Sequence, residues 1–246
     1  MRKYVGIVAV ALGVALAGVT PAEASSFLRI NVDGVIVTCD NSAALCGAGF
    51  TTALGSNNIT FTGVINGVNF ASVQLAGNSP GSASVAFVLD SKFNISNTSG
   101  VTHTVTVDFG QNNFTSPIGP GFLNASQTAN WTLSSAGDSQ SFQAWLRNTN
   151  DLVVPGGTAT AISPTCVSPG GLSQSCSSET LNVADNPTAP FALTGREVMV
   201  MSNGTVATYS GTATQTTTPL VPEPSSMLLF GTGLFAAARR LRRRQS

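Results

Sequence analysis

Residues Val101 to Phe109 read VTHTVTVDF. Val101, His103, Val105, Val107 and Phe109 alternate with Thr102, Thr104, Thr106 and Asp108. A strand turns its side chains to opposite faces at each step, so this alternation gives one apolar face and one hydroxyl-rich face. A helix would scatter the same residues around its circumference. The stretch predicts a half-buried β-strand.

The pattern recurs on both sides. ITFTGVINGVNF (59–70), REVMVMSNGTVATYSG (196–211) and LRINVDGVIVTC (28–39) each place an Asn-Gly or Asp-Gly pair between two apolar runs. These dipeptides accept the positive φ of a tight type I′ hairpin turn, so three hairpins are expected at Asn66-Gly67, Asn203-Gly204 and Asp33-Gly34. SVAFVLD (84–90), ANWTLSS (129–135) and SFQAWLR (141–147) are further strand candidates. No apolar repeat of helical period stands out in this region. Many short antiparallel strands with frequent turn signals predict an all-β fold, an antiparallel β-sandwich.

From Asp151 to Pro190 the texture changes. Pro155, Pro164, Pro169, Pro187 and Pro190, with Gly156-Gly157 and Gly170-Gly171, suit a long loop rather than central strands. Four cysteines fall into two local couples, Cys39 with Cys46 and Cys166 with Cys176. Three connectivities are open to four cysteines, and the spacings do not match CxxC zinc pairs. Two local bridges are expected, the second tying down the loop, with no metal and no cofactor.

The start of the chain sets the compartment. Arg2 and Lys3 precede an apolar run from Val5 to Val19, and Ala22-Glu23-Ala24 supplies an A-x-A cleavage pattern. This is the layout of a secretory signal peptide over 1–24, cut between Ala24 and Ser25 by signal peptidase. A retained anchor is the alternative. Export agrees with disulfides.

The chain ends in VPEPSSMLLFGTGLFAAARRLRRRQS (221–246). Met227 to Ala238 is apolar but reaches only about 18 Å as a helix, short of a full bilayer core. Arg239, Arg240, Arg242, Arg243 and Arg244 would hold the far end in the cytoplasm as a stop signal, leaving the body outside. Pro222 and Pro224 keep the segment before it extended. The order of a Pro-Glu-Pro triplet, an apolar run and an arginine cluster resembles the PEP-CTERM sorting signal of exported proteins in Gram-negative bacteria that make extracellular polysaccharide. The resemblance implies that Pro222, Glu223 and Pro224 are recognised by an exosortase, a membrane-embedded cysteine protease-transpeptidase. It also implies a transient inner-membrane intermediate with one transmembrane helix, followed by delivery to the cell surface or the extracellular matrix.

Between the two signals the expected organisation is a β-sandwich domain over 25–211 and a Thr-rich spacer over 212–220. Four basic side chains remain there, Arg29, Lys92, Arg147 and Arg196, against nine acidic ones, a formal charge of −5. That balance argues against nucleic acid as a partner.

Candidate chemistry is sparse. Gly77-Asn78-Ser79-Pro80-Gly81 matches G-x-S-x-G, with Asp90 and His103 following in hydrolase order. A nucleophile elbow uses the backbone N–H after the serine in its oxyanion hole, and Pro80 has none. A polar hairpin loop explains the match better. His103 is the lone histidine and has no partner that the sequence nominates. Two carboxylates could meet in space and hydrolyse a glycoside, but no spacing picks a pair. Trp131 and Trp145, with Tyr209, are candidate sugar contacts. If Phe142, Ala144 and Leu146 form the core face of their strand, Trp145 is exposed; if the faces are reversed, it is core.

The expectation is therefore an exported, non-enzymatic surface or biofilm-matrix protein, structural or adhesive within an exopolysaccharide layer. A secreted carbohydrate-binding module and a hydrolase with an unrecognised acid pair are the alternatives.

Overall fold

The computed structural model describes residues 24–41, 45–53 and 56–217. Two eight-stranded antiparallel sheets face each other. The first sheet is built on β1 (Ser26–Val32), β2 (Val35–Asp40), β8 (His103–Phe114), β10 (Ser139–Arg147) and β15 (Phe191–Met201), in the order β10-β15-β8-β1-β2. The second runs β13 (Gly171–Glu179), β9 (Gly121–Ser134), β16 (Val206–Thr217), β7 (Val85–Asn97), β6 (Val68–Gly77), β5 (Ile59–Ile65) and β4 (Phe50–Thr52), with β14 (Val183–Asp185) also paired to β9. This is the β-sandwich that the alternating pattern predicts.

The inner faces supply one apolar core. Leu28, Ile30 and Val32 of β1, Val105, Val107 and Phe109 of β8, and Phe142, Ala144 and Leu146 of β10 are all buried in it. Ile59, Phe70, Val88, Ile95, Trp131 and Tyr209 answer from the second sheet. Removing such side chains from water is the main favourable term, about 1.5–3 kcal/mol for each large apolar group. Within the opening stretch, Val101 departs from expectation. It precedes β8 and is exposed, because the pairing of β8 begins at His103.

Two of the three hairpins form as read. Asp33 and Gly34 both have positive φ (47° and 93°), as do Asn66 and Gly67 (48° and 80°), and their flanking strands pair directly. The third does not. β15 lies in the first sheet and β16 in the second, so Asn203-Gly204 turns an arch between sheets and only Gly204 has positive φ. Asp138 fixes this arch by accepting from Ser202 N and Thr205 Oγ1, and the Asn97 carbonyl accepts from Gly204 N.

Two boundaries also move. Thr212 to Thr217 belong to β16, which lies between β7 and β9, rather than to a spacer. The Pro/Gly-rich segment is not one long loop, since Gly171 to Glu179 pair with β9 along the edge of the second sheet. β13 is Ser-rich and mostly exposed, so no apolar alternation announces it.

Both local disulfides are present. Cys39 and Cys46 are cross-strand partners between β2 and β3 (Leu45–Cys46). Cys166 pairs with Cys176, joining β12 (Cys166–Val167) of the first sheet to β13 of the second. The second bridge clamps one open side of the sandwich.

Candidate functional site

Three arrangements bring polar groups together. The first lies on the outer face of the first sheet, where the register lines up Gln143, Arg196, Asp108, Arg29 and Thr38 across neighbouring strands. Arg196 donates from Nε to Asp108 Oδ1 at 2.6 Å, and Arg29 donates from Nε to Asp108 Oδ2 at 2.9 Å. Asp108 is enclosed, while the Arg29 and Arg196 side chains stay 35% and 32% exposed. Phe27 lies partly buried under the Arg29 guanidinium, 5.8 Å from its ring centre. The segment after β10 walls one side, since Val154 O accepts from Arg196 Nη2 at 3.4 Å. Arg147, the last residue of β10, pairs with Asp151 and holds its carboxyl down at about 2. Arg29 and Arg196 thus bring two of the body's four cations together around Asp108, on a body of formal charge −5.

The second arrangement surrounds His103. Its Nδ1 lies 2.7 Å from Asp33 Oδ2 and its Nε2 2.7 Å from Ser99 Oγ. The order Ser, His, Asp is that of a hydrolytic relay, but the neighbouring amides are already engaged. Ser99 N donates to Asn97 Oδ1, Gly100 N to Asn203 Oδ1 and Val101 N back to Ser99 Oγ. An oxyanion needs donors aimed at it and otherwise unoccupied. The constellation is built as a clamp that ties the β1–β2 turn to the crossing from β7 to β8. The hydrogen bond from His103 holds the Asp33 carboxyl below its ordinary range. Ser79 of the G-x-S-x-G stretch lies elsewhere, with Oγ donating to Asn112 O and N donating to Gln111 Oε1.

The third arrangement is buried between the sheets. Lys92 Nζ donates to Asp90 Oδ2 and, at 2.7 Å, to Glu197 Oε2. All three side chains are fully enclosed. Gln140 Nε2 donates to Glu197 Oε1 at 2.8 Å. Burial pushes Glu197 up to about 7 and raises Asp90 as well, against the pull of Lys92. Burial works to lower Lys92, but the two carboxylates outweigh it and its pKa rises. Asp90 and Glu197 are the two carboxyls that this arrangement brings to one amine, and the sequence spacing did not nominate them.

The candidate sugar contacts are not surface groups. Trp131 is in the core, where its Nε1 donates to Tyr209 Oη at 3.0 Å. Trp145 is only 5% exposed. Phe142, Ala144 and Leu146 do form the core face, yet the opposite face of β10 is also covered. β11 (Thr158–Ala159) pairs Ala159 with Trp145, and Leu152 lies beside Gly110 in the same cross-strand row as Thr194 and Trp145. Sequence reasoning missed Arg29 and Arg196 because only register aligns them; their rarity in a charge-poor body was the signal.

Of the sorting elements, the described residues hold only Ala24 and Ser25. Ser25 N donates to Asn112 Oδ1 at the start of β1. Residues 1–23, Pro222, Glu223, Pro224 and the five tail arginines lie outside them. The sequence decides this part: the PEP-CTERM protein-sorting motif matches residues 220–244. The chain carries a PEP-CTERM sorting signal at this end. The motif supports export, cell-surface sorting and processing by an exosortase.

No curated protein matches the chain. Among solved structures, TmCBM61 in complex with β-1,4-galactotriose is 8% identical, with 57% of this chain and 85% of that chain covered and a TM-score of 0.31. Arabinose-bound MgGH51 α-L-arabinofuranosidase is 14% identical over 67% of this chain and 24% of its own, at a TM-score of 0.28. The enzymatically active domain of bacteriophage CBA120 tailspike protein 4 is 12% identical over 77% of this chain and 19% of its own, at 0.24. At these scores the likenesses carry no argument about function.

Proposed function

We propose that the protein is a structural or adhesive component of an exopolysaccharide layer, reached through an inner-membrane intermediate and exosortase cleavage, and acting by binding rather than by turnover. The observation that supports this is the Arg29–Asp108–Arg196 row on the outer face of the first sheet. Asp108 holds both guanidiniums in fixed directions, so less side-chain entropy remains to be lost on binding. Asp108 neutralises one of the two positive charges, leaving a local excess on a body of formal charge −5. Asp108 takes Nε and Nη2 of each guanidinium, so the carboxylate of an acidic sugar would meet the Nη1 side of Arg29 and Arg196 in charge-assisted hydrogen bonds. The proposed contact is therefore an acidic polysaccharide lying across the strands, with Arg29 and Arg196 as its anchors in place of the tryptophans.

The test is co-sedimentation of the mature protein with alginate, a polyuronate, and with dextran, a neutral glucan. Retention on alginate that falls at least tenfold in the Arg29→Ala/Arg196→Ala double variant is expected. Equal retention on both polymers, or no loss in the variant, would refute the reading.

A further inference from the structure

We propose that Lys92 and Glu197 join in an amide, an intramolecular cross-link between the two sheets that forms after folding, with Asp90 carrying the protons and Gln140 holding the reacting carbonyl. This goes beyond the binding role and does not depend on it.

The geometry supplies each participant. Lys92 is on β7 in the second sheet and Glu197 on β15 in the first, 105 residues apart in sequence. Their register rows are the inner ones: Val73, Lys92, Tyr209 and Ala129 on one sheet, and Phe142, Glu197, Val107 and Ile30 on the other. The amine and the carboxyl meet at 2.7 Å, both fully buried between the sheets. Holding two reactants in this way gives effective concentrations on the order of 10⁵–10⁸ M.

The reacting protonation state is neutral overall. One amine faces two carboxyls, so the site is neutral when one carboxyl keeps its proton. Moving a proton from the ammonium to the remaining carboxylate keeps it neutral and leaves a nucleophilic amine beside two uncharged acids. Burial acts in that direction at each member because it disfavours every charged form, and protonating both carboxyls removes the ionic attraction that otherwise holds the Lys92 ammonium.

The steps then balance. The Lys92 Nζ lone pair attacks Glu197 Cδ, and negative charge develops on Oε1, where the Gln140 Nε2–H is already aimed. Asp90, in contact with Nζ, takes a proton from the amine and returns one to Oε2. The Cδ–Oε2 bond breaks, water leaves and the amide remains. No oxidant or other reactant is needed. Glu197 rather than Asp90 is the acyl partner for a geometric reason. Asp90 Oδ1 is buried without a hydrogen-bond partner, so charge developing on it would have no donor.

Mass spectrometry decides the matter. The exported protein, reduced to open both disulfides, is expected to weigh one water less than its sequence requires. Lys92 should resist trypsin, and one branched peptide should carry Lys92 joined to Glu197. An Asp90→Asn variant is expected to fold, by circular dichroism, and to show the full mass. Wild-type protein of full mass with a trypsin-sensitive Lys92 would overturn the proposal, and needs no variant to be read. A branch from Lys92 to Asp90, or complete linkage in the Asp90→Asn variant, would overturn the assigned roles.

Discussion

Asp151 shows how one side chain fixes the wall of the outer face. Arg147 Nη2 donates to its Oδ2 at 2.8 Å, Thr149 Oγ1 donates to the same atom at 2.6 Å and Val153 N donates to Oδ1. Led by the Arg147 hydrogen bond, these contacts pull its carboxyl from 3.8 to about 2. Between those values the unfolded chain binds the proton and the folded one does not. The contribution is therefore complete above 3.8 and lost as pH falls toward about 2. The carboxyl is 39% exposed, so solvent screening keeps the gain small. Wild type should be more stable than Asp151→Asn near neutral pH, and the gap should close through that acid window. Urea midpoints measured against pH check this; a gap independent of pH refutes it. At this scale the sequence could name arginines and acids, yet it could not pair them. Arg147 with Asp151 is a local contact, whereas Arg29 with Asp108 spans 79 residues.

Among the strands, β8 was legible and β13 was not. β8 repeats apolar residues at every second position because its inner face meets the core, and the chain records that burial directly. β13 lies at an edge with both faces largely wet, so serine serves as well as valine there and no pattern is imposed. β15 has a constraint that no periodicity reveals. A Cβ on Gly195 would lie 2.6 Å from Phe109 Cζ and 2.7 Å from Phe142 Cε2, whose rings stack at 5.7 Å. Gly195→Ala is expected to destabilise the protein by about 1–3 kcal/mol through overpacking. A Phe109→Leu change in the same chain should recover part of that loss. Thermal denaturation of the single and double variants tests it, and an unchanged midpoint in Gly195→Ala would show that the rings can give way.

The whole molecule joins a rigid body to an address. The sandwich is closed by pairing between long strands, by Cys166–Cys176 across the two sheets and by the clamp of His103 on Asp33 and Ser99. Its last strand, β16, ends at Thr217, only a few residues before the sorting motif begins at 220. On the proposed route through a membrane intermediate, so short a connection would keep the body close to the membrane until its release. Changing Pro222, Glu223 and Pro224 together to alanine should leave an uncleaved precursor in the membrane fraction, with the body folded normally. C-terminal peptide mapping checks this. A variant with the same mature C-terminus as wild type would remove the triplet from recognition.

By itself the sequence determined what depends on local order. The alternation of Val and Thr specifies strands, Asp33-Gly34 and Asn66-Gly67 specify tight hairpins, and residues 220–244 specify sorting. Each is a short-range property, set by backbone conformation or by a linear motif that a processing enzyme reads. The tertiary structure alone decided which strands change sheets, that Asn203-Gly204 arches between them, and that both tryptophans are covered. It also decided that Lys92 meets Glu197. Register between strands far apart in the chain is fixed by burying all the apolar faces at once, and this collective condition leaves no mark on any single stretch of residues.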